Sequence, residues 1–230
     1  MHQLPIHKIF VAGFAFATVH WKKILEISII PVLISLPLLM SAPELIALAK
    51  QMFANKLSEP PIFLDNTGLY LALFFYGHLS LSINLYRLVV LGEQSVSILP
   101  VLEFAKIARF IGLTLLVGFV SMATLIMNNL LWLSLLISFL VVPITLNFVN
   151  IAIGNPIKYR WELSFPAQLN LFFLQVVVPM LIVLLFGSLS RMLALDIGVE
   201  WAARVLAFYW SSITLALCYQ LITKESQSNT

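Results

Sequence analysis

Six stretches of this chain are apolar over the length needed to cross a bilayer, and a soluble fold has no use for so many. They occupy residues 24–40, 69–91, 110–127, 130–149, 171–189 and 205–222. Each is close to the roughly 20 apolar residues that fill a hydrocarbon core. The runs are continuous and do not alternate every second residue, which selects helices over a barrel. Of 230 residues, 61% are hydrophobic and 10% charged, against about 45–50% and about 25% in soluble domains. A chain of this size cannot bury such an excess in one core, so its outside must be lipid. The expectation is an all-α, polytopic membrane helical bundle of about six transmembrane helices, a single integral membrane domain over residues 1–230.

Charge then orients the bundle. With the N-terminus in the cytoplasm, the inner side collects Lys8, Lys22, Lys23, Arg87, Lys106, Arg109, Lys158, Arg160 and Lys224. The outer side collects only Lys50, Lys56, Arg191 and Arg204. That asymmetry follows the positive-inside rule, while the acidic residues divide evenly, as their weak influence predicts. Both termini are expected in the cytoplasm. The net charge of +3 contains no basic block, so topology explains it better than nucleic acid does. No cleavable signal peptide is expected, because the lysines follow the first apolar stretch and do not precede it. Cys218 is the only cysteine, which excludes an intrachain disulfide or a cysteine-based zinc site.

The connections suggest three hairpins, each beginning and ending inside. Residues 41–68 form the longest outer loop, in which 44–57 could make a short surface helix. A tight turn is expected at Asn128 and Asn129, and a modest loop around Arg191, Asp196, Gly198 and Glu200. Residues 5–23, 97–109 and 159–170 mix apolar and polar positions ahead of each hairpin. They read as cytoplasmic interfacial helices, or else as extensions of the next span. Gly92 and Gly154 directly follow apolar helices and read as C-terminal stops. Pro31 and Pro37 should kink the first span.

Tyr86-Arg87-Leu88-Val89-Val90-Leu91-Gly92-Glu93, with the entry over residues 6–31 and its Trp21-Lys22-Lys23, carries a family resemblance. The chain resembles poorly characterised six-helix bacterial inner-membrane proteins, related to the membrane domains attached to some glycerophosphodiester phosphodiesterases. The likeness covers the whole chain as an architecture and is specific over those eight residues. It implies an inner-membrane address and a helical bundle. It implies no activity, since the soluble catalytic domain of those phosphodiesterases has no counterpart here.

Polar groups inside a bilayer are costly to bury and are the natural place to look for function. Tyr76, Ser80, Asn84 and Arg87 fall at helical steps on one stripe of the second span, with His78 and Ser82 beside it. The stripe reads as interhelical hydrogen bonding, or as a hydrated path or ligand site. His78 reads as a neutral, hydrogen-bonded histidine, because a metal site needs further ligands. Glu26 reads as an interfacial ion pair with Lys22 or Lys23. Arg87 lies about 6 Å inside the end of its apolar run, at 1.5 Å per residue. It is expected to be held by Glu93, by Glu26 or by freed carbonyls, with an anionic lipid headgroup as the competing partner.

Catalytic constellations are missing from the sequence. It has no glycine-rich phosphate loop, no nucleophile elbow and no cluster of acids and histidines. The expectation is a structural or accessory membrane component, not an enzyme and without a cofactor. Its partners would be the lipid bilayer, anionic headgroups or another membrane protein. The alternative is a transporter or permease-like component for a small solute, supported by Pro31, Pro37, Pro143 and Pro179 and by the polar stripe. A central polar cavity would favour that alternative.

Overall fold

The computed structural model describes residues 4–53, 66–99, 101, 103–126, 131–158, 161, 163–193 and 198–228. These residues contain helices and no strand. In chain order the helices are α1 (Ile6–Val19), α2 (Trp21–Phe53), α3 (Thr67–Leu91), α4 (Phe104–Ile126) and α5 (Leu131–Val141). Then come α6 (Leu146–Ile153), α7 (Phe165–Phe172), α8 (Val178–Met192) and α9 (Gly198–Ser228). A 3-10 turn (Val142–Thr145) runs α5 into α6, and a π turn (Phe173–Val177) runs α7 into α8.

Five of the described helices or rods are long and apolar enough to cross a membrane: Trp21–Ser41, Thr67–Leu91, Trp132–Ile153, Phe165–Ser190 and Gly198–Lys224. The chain is an integral membrane protein. The remaining expected segment, 110–127, falls in α4 as far as residue 126. Residue 127 and the turn at Asn128 and Asn129 lie outside the described residues, as does Asp196. The helices outlast their apolar runs because flanking residues such as Thr67, Arg204 and Lys224 continue a helix without being apolar.

That same continuation corrects several expectations. Residues 44–53 do not form a separate surface helix but prolong α2 to Phe53. Glu, Leu, Ala, Lys, Gln and Met there are strong helix formers, and Pro43 removes only one donor; residues 54–57 lie outside the described residues. Of the three segments ahead of the hairpins, only the first is a helix of its own. α1 ends at His20 (φ −101°, ψ 16°), where α2 begins, and α1 packs chiefly on α9. The second has no helix among its described residues before Phe104, and Lys106 and Arg109 belong to α4. In the third, Ser164 caps α7 by accepting from the Ala167 N–H at 3.4 Å, and Asn170 lies inside the rod that continues as α8.

α3 is the centre of the bundle. It is buried on every side from Leu79 to Tyr86, which a helix tolerates only when other helices surround it. α2, α6 and α9 supply that surround. Leu79, Ile83, Tyr86 and Val89 interlock with Leu146, Val149 and Ala152 of α6 and with Ile213, Ala216 and Tyr219 of α9. Leu115 and Phe119 of α4 and Leu184 and Leu185 of α8 face outward, the apolar exterior a bilayer requires. One end of the bundle gathers the start of α2 and the ends of α3, α6 and α9. His20 meets Glu93, the Gln220 amide donates to the Val89 carbonyl at 3.0 Å, and the Asn155 amide donates to the Tyr219 hydroxyl at 3.2 Å. This is called the near end below.

Both glycine stops are present. Gly154 is left-handed (φ 85°, ψ 11°), and the following Asn155 N–H reaches back to the Asn150 carbonyl at 2.8 Å. Gly92 has φ 85° and ψ 179°, a conformation essentially confined to glycine. It sends the chain off α3 in a new direction, and the site depends on where that chain goes.

Candidate functional site

After Gly92 a 3-10 turn (Glu93–Ser95) reverses the backbone. The Ser95 hydroxyl donates to the Gly92 and Arg87 carbonyls at 2.7 and 3.2 Å. The chain then folds back along α3 as far as Val101. There the Val101 N–H donates to the Ser80 hydroxyl at 3.0 Å, and the Tyr76 hydroxyl donates to the Val101 carbonyl at 3.1 Å. Ser80 lies about 16 Å along the helix from Leu91, at 1.5 Å per residue. The segment is therefore re-entrant, with Val96 and Val101 buried. Irregular backbone is acceptable at such depth only where protein or a water-filled cavity covers it, and Tyr76 and Ser80 satisfy it here.

Between α3 and this returning segment lies a cavity of ≈ 330 Å³. Asn84 and Arg87 line it from α3, and Gln94, Ser95, Ser97 and Glu103 line it from the segment and its exit. Asn84 is 2% exposed, and its amide nitrogen has no hydrogen-bond partner. Arg87 is half-buried and takes part in none of the ion pairs among the described residues. The acids expected to hold it are engaged elsewhere. Glu93 lies 2.7 Å from His20 Nδ1, and Glu26 lies 2.7 Å from Lys23 Nζ, one helical turn away. Glu103 pairs with Lys106 at 3.1 Å. Among the described residues, then, Arg87 has neither of its expected acidic partners, and Glu26 forms an ion pair with Lys23.

The structure brings Tyr76, Ser80, Asn84 and Arg87 to one place and leaves Glu26, His78 and Glu93 outside it. His78 sits on an exposed face of α3, its ring 4.7 Å from Phe208 and stacked over Phe74 at 6.4 Å. Its contacts are aromatic, not the expected hydrogen bond. Gln94, Ser95, Ser97 and Glu103 were missed by sequence reasoning. The available signal was the polar run that follows a glycine stop.

Family models, curated proteins and solved structures offer no match to this chain. Geometry alone must carry the functional reading.

A second cavity, of ≈ 230 Å³, lies on another side of α3. Its polar lining comes from Tyr86, Ser138, Thr145, Gln175 and Ser211. Gln175 stands in the π turn, where its amide donates to the Thr214 hydroxyl at 3.0 Å and its oxygen accepts from Ser211 at 2.7 Å. Neither Pro31 nor Pro179 lines this cavity, and the two cavities share no lining residue. No group of three or more His, Cys, Asp or Glu side chains among the described residues could hold a metal ion.

Proposed function

We propose that this chain is a bacterial inner-membrane protein of structural or accessory role, crossing the bilayer six times as three hairpins with both termini in the cytoplasm. The observation that carries the role is how several mid-bundle polar groups are used: they close on one another. Tyr209 donates to Ser28 at 2.6 Å, and Gln175 joins Ser211 and Thr214. Such pairs fix helix against helix and leave little to offer a passing solute.

The topology has its own support. The close pairs α2 with α3, α4 with α5 and α8 with α9 support an arrangement in three hairpins. Leu91 lies at the near end, and the rod that starts at Leu131 finishes there, so its start is about 33 Å away at 1.5 Å per residue. The chain between them, which includes α4, crosses that distance. Trp21 and Trp161 at the near end, and Trp132 and Trp201 at the other, suit two membrane interfaces; Lys158 lies over Trp161 and Arg204 over Trp201. α1 then lies on α9 at the level of Trp210 and Thr214, which Gly13 approaches closely.

One observation favours the transporter alternative: an uncharged amide, Gln175, placed by a π turn next to a mid-bundle cavity. Reconstituted liposomes separate the two readings. The accessory role expects small-solute flux equal to that of protein-free liposomes. A solute-selective flux that Gln175→Leu abolishes would install the carrier reading in its place.

A further inference from the structure

The cavity beside α3 holds donors without acceptors. The Arg87 guanidinium has no counter-ion among the described residues, and the Asn84 amide nitrogen is buried and unpartnered. Buried polar groups in native proteins find partners, and an exception calls for a ligand or an unseen partner. We propose that this cavity binds a phosphate group, borne by a lipid headgroup or free in solution, with Arg87 as its charge partner and Asn84 as its second donor. This goes beyond the role proposed above and does not depend on it, since a carrier could hold the same group.

Charge and shape both select an anion. Glu103 also lines the cavity, but Lys106 neutralises it at 3.1 Å, leaving the guanidinium as the uncompensated charge. The planar guanidinium fork matches two oxygens of one phosphate. Asn84 lies one turn deeper on α3, and its amide can rotate about the last side-chain torsion to present its N–H groups. The ≈ 330 Å³ of space is within the range of small-molecule sites. Arg87 lies about 6 Å inside Leu91 at 1.5 Å per residue, a level from which it can reach the phosphate of a bilayer leaflet.

The test uses the full chain in non-ionic detergent. Inorganic phosphate and dihexanoyl phosphatidylglycerol are titrated separately, with sodium chloride and dihexanoylglycerol as controls, and the thermal midpoint is followed. At least one phosphate probe should raise the midpoint beyond its control. Arg87→Gln should weaken that response about tenfold or more, as expected for a lost charge-assisted contact. Asn84→Leu should weaken it as well, yet leave the probe-free midpoint at or above the parent value, because the amide it removes bonds to nothing. Glu103→Gln should tighten it. A response to phosphatidylglycerol alone identifies a headgroup site, and a response to inorganic phosphate a soluble one. The proposal is overturned if neither probe exceeds its control, or if both Asn84→Leu and a folded Arg87→Gln respond as the parent does.

Discussion

At the scale of single residues, the tightest point of the bundle is Gly77. A Cβ there would stand 2.6 Å from the Pro31 carbonyl oxygen and 2.7 Å from the Ser35 hydroxyl. The first of these is backbone and cannot swing away. Gly77→Ala should therefore force α2 and α3 apart, at a cost of about 1–3 kcal/mol, typical of overpacking. Gly112→Ala, where the added carbon meets nothing within 4 Å, should leave the thermal midpoint unchanged or slightly raised. Equal midpoints for the two variants would refute the close approach. At this scale the sequence was half legible. The spacing of Tyr76, Ser80, Asn84 and Arg87 announced a common face. What that face receives is the backbone of Val101, and a backbone group leaves no trace in the residue types that flank it. Glu26 was legible for the opposite reason: its partner Lys23 is three residues away on the same helix.

At the scale of elements, the prolines decide what each rod can do. Pro143 has no N–H, so the Phe139 carbonyl four residues earlier loses its helical donor. The Gln168 amide of α7 donates to that carbonyl at 2.9 Å. Pro179 would press on the Gln175 carbonyl in a regular helix, and the π turn over Phe173–Val177 widens the rod at that position. In α2 the helix continues through Pro31, and its carbonyl accepts from Ser35 at 2.8 Å. Gln168→Ala should cost about 1–3 kcal/mol by stranding a part-buried carbonyl. In a Pro143→Ala background the same change should cost far less, because residue 143 can then donate to Phe139. Additive effects in that double-mutant cycle would show that the two residues are uncoupled. The spans themselves were readable because apolar length is a strong signal. Whether an amphipathic lead-in stands apart or joins its span was not readable, since that turns on one residue's torsions. His20 breaks the first lead-in, whereas Ser164 starts the third lead-in and its span as a single rod.

At the scale of the whole molecule, orientation is testable with thiol chemistry because Cys218 is fully buried. Single cysteines at positions 106 and 158 should resist an impermeant reagent added outside intact cells, and cysteines at 50 and 56 should react. The reverse pattern would turn the protein over. The fold also constrains the order of its own making. α1 is translated long before α9, the helix on which it rests. Phe10 and Phe14 each lie 4.7 Å from the Trp210 ring, and the Leu4 carbonyl accepts from Asn170 at 2.7 Å. At about 5–20 residues per second, the ribosome reaches Trp210 about 10–40 s after Phe10. For all of that interval α1 lacks the face of α9 on which it comes to rest. It then closes onto that face like a clasp, so a helix made early finds its place late.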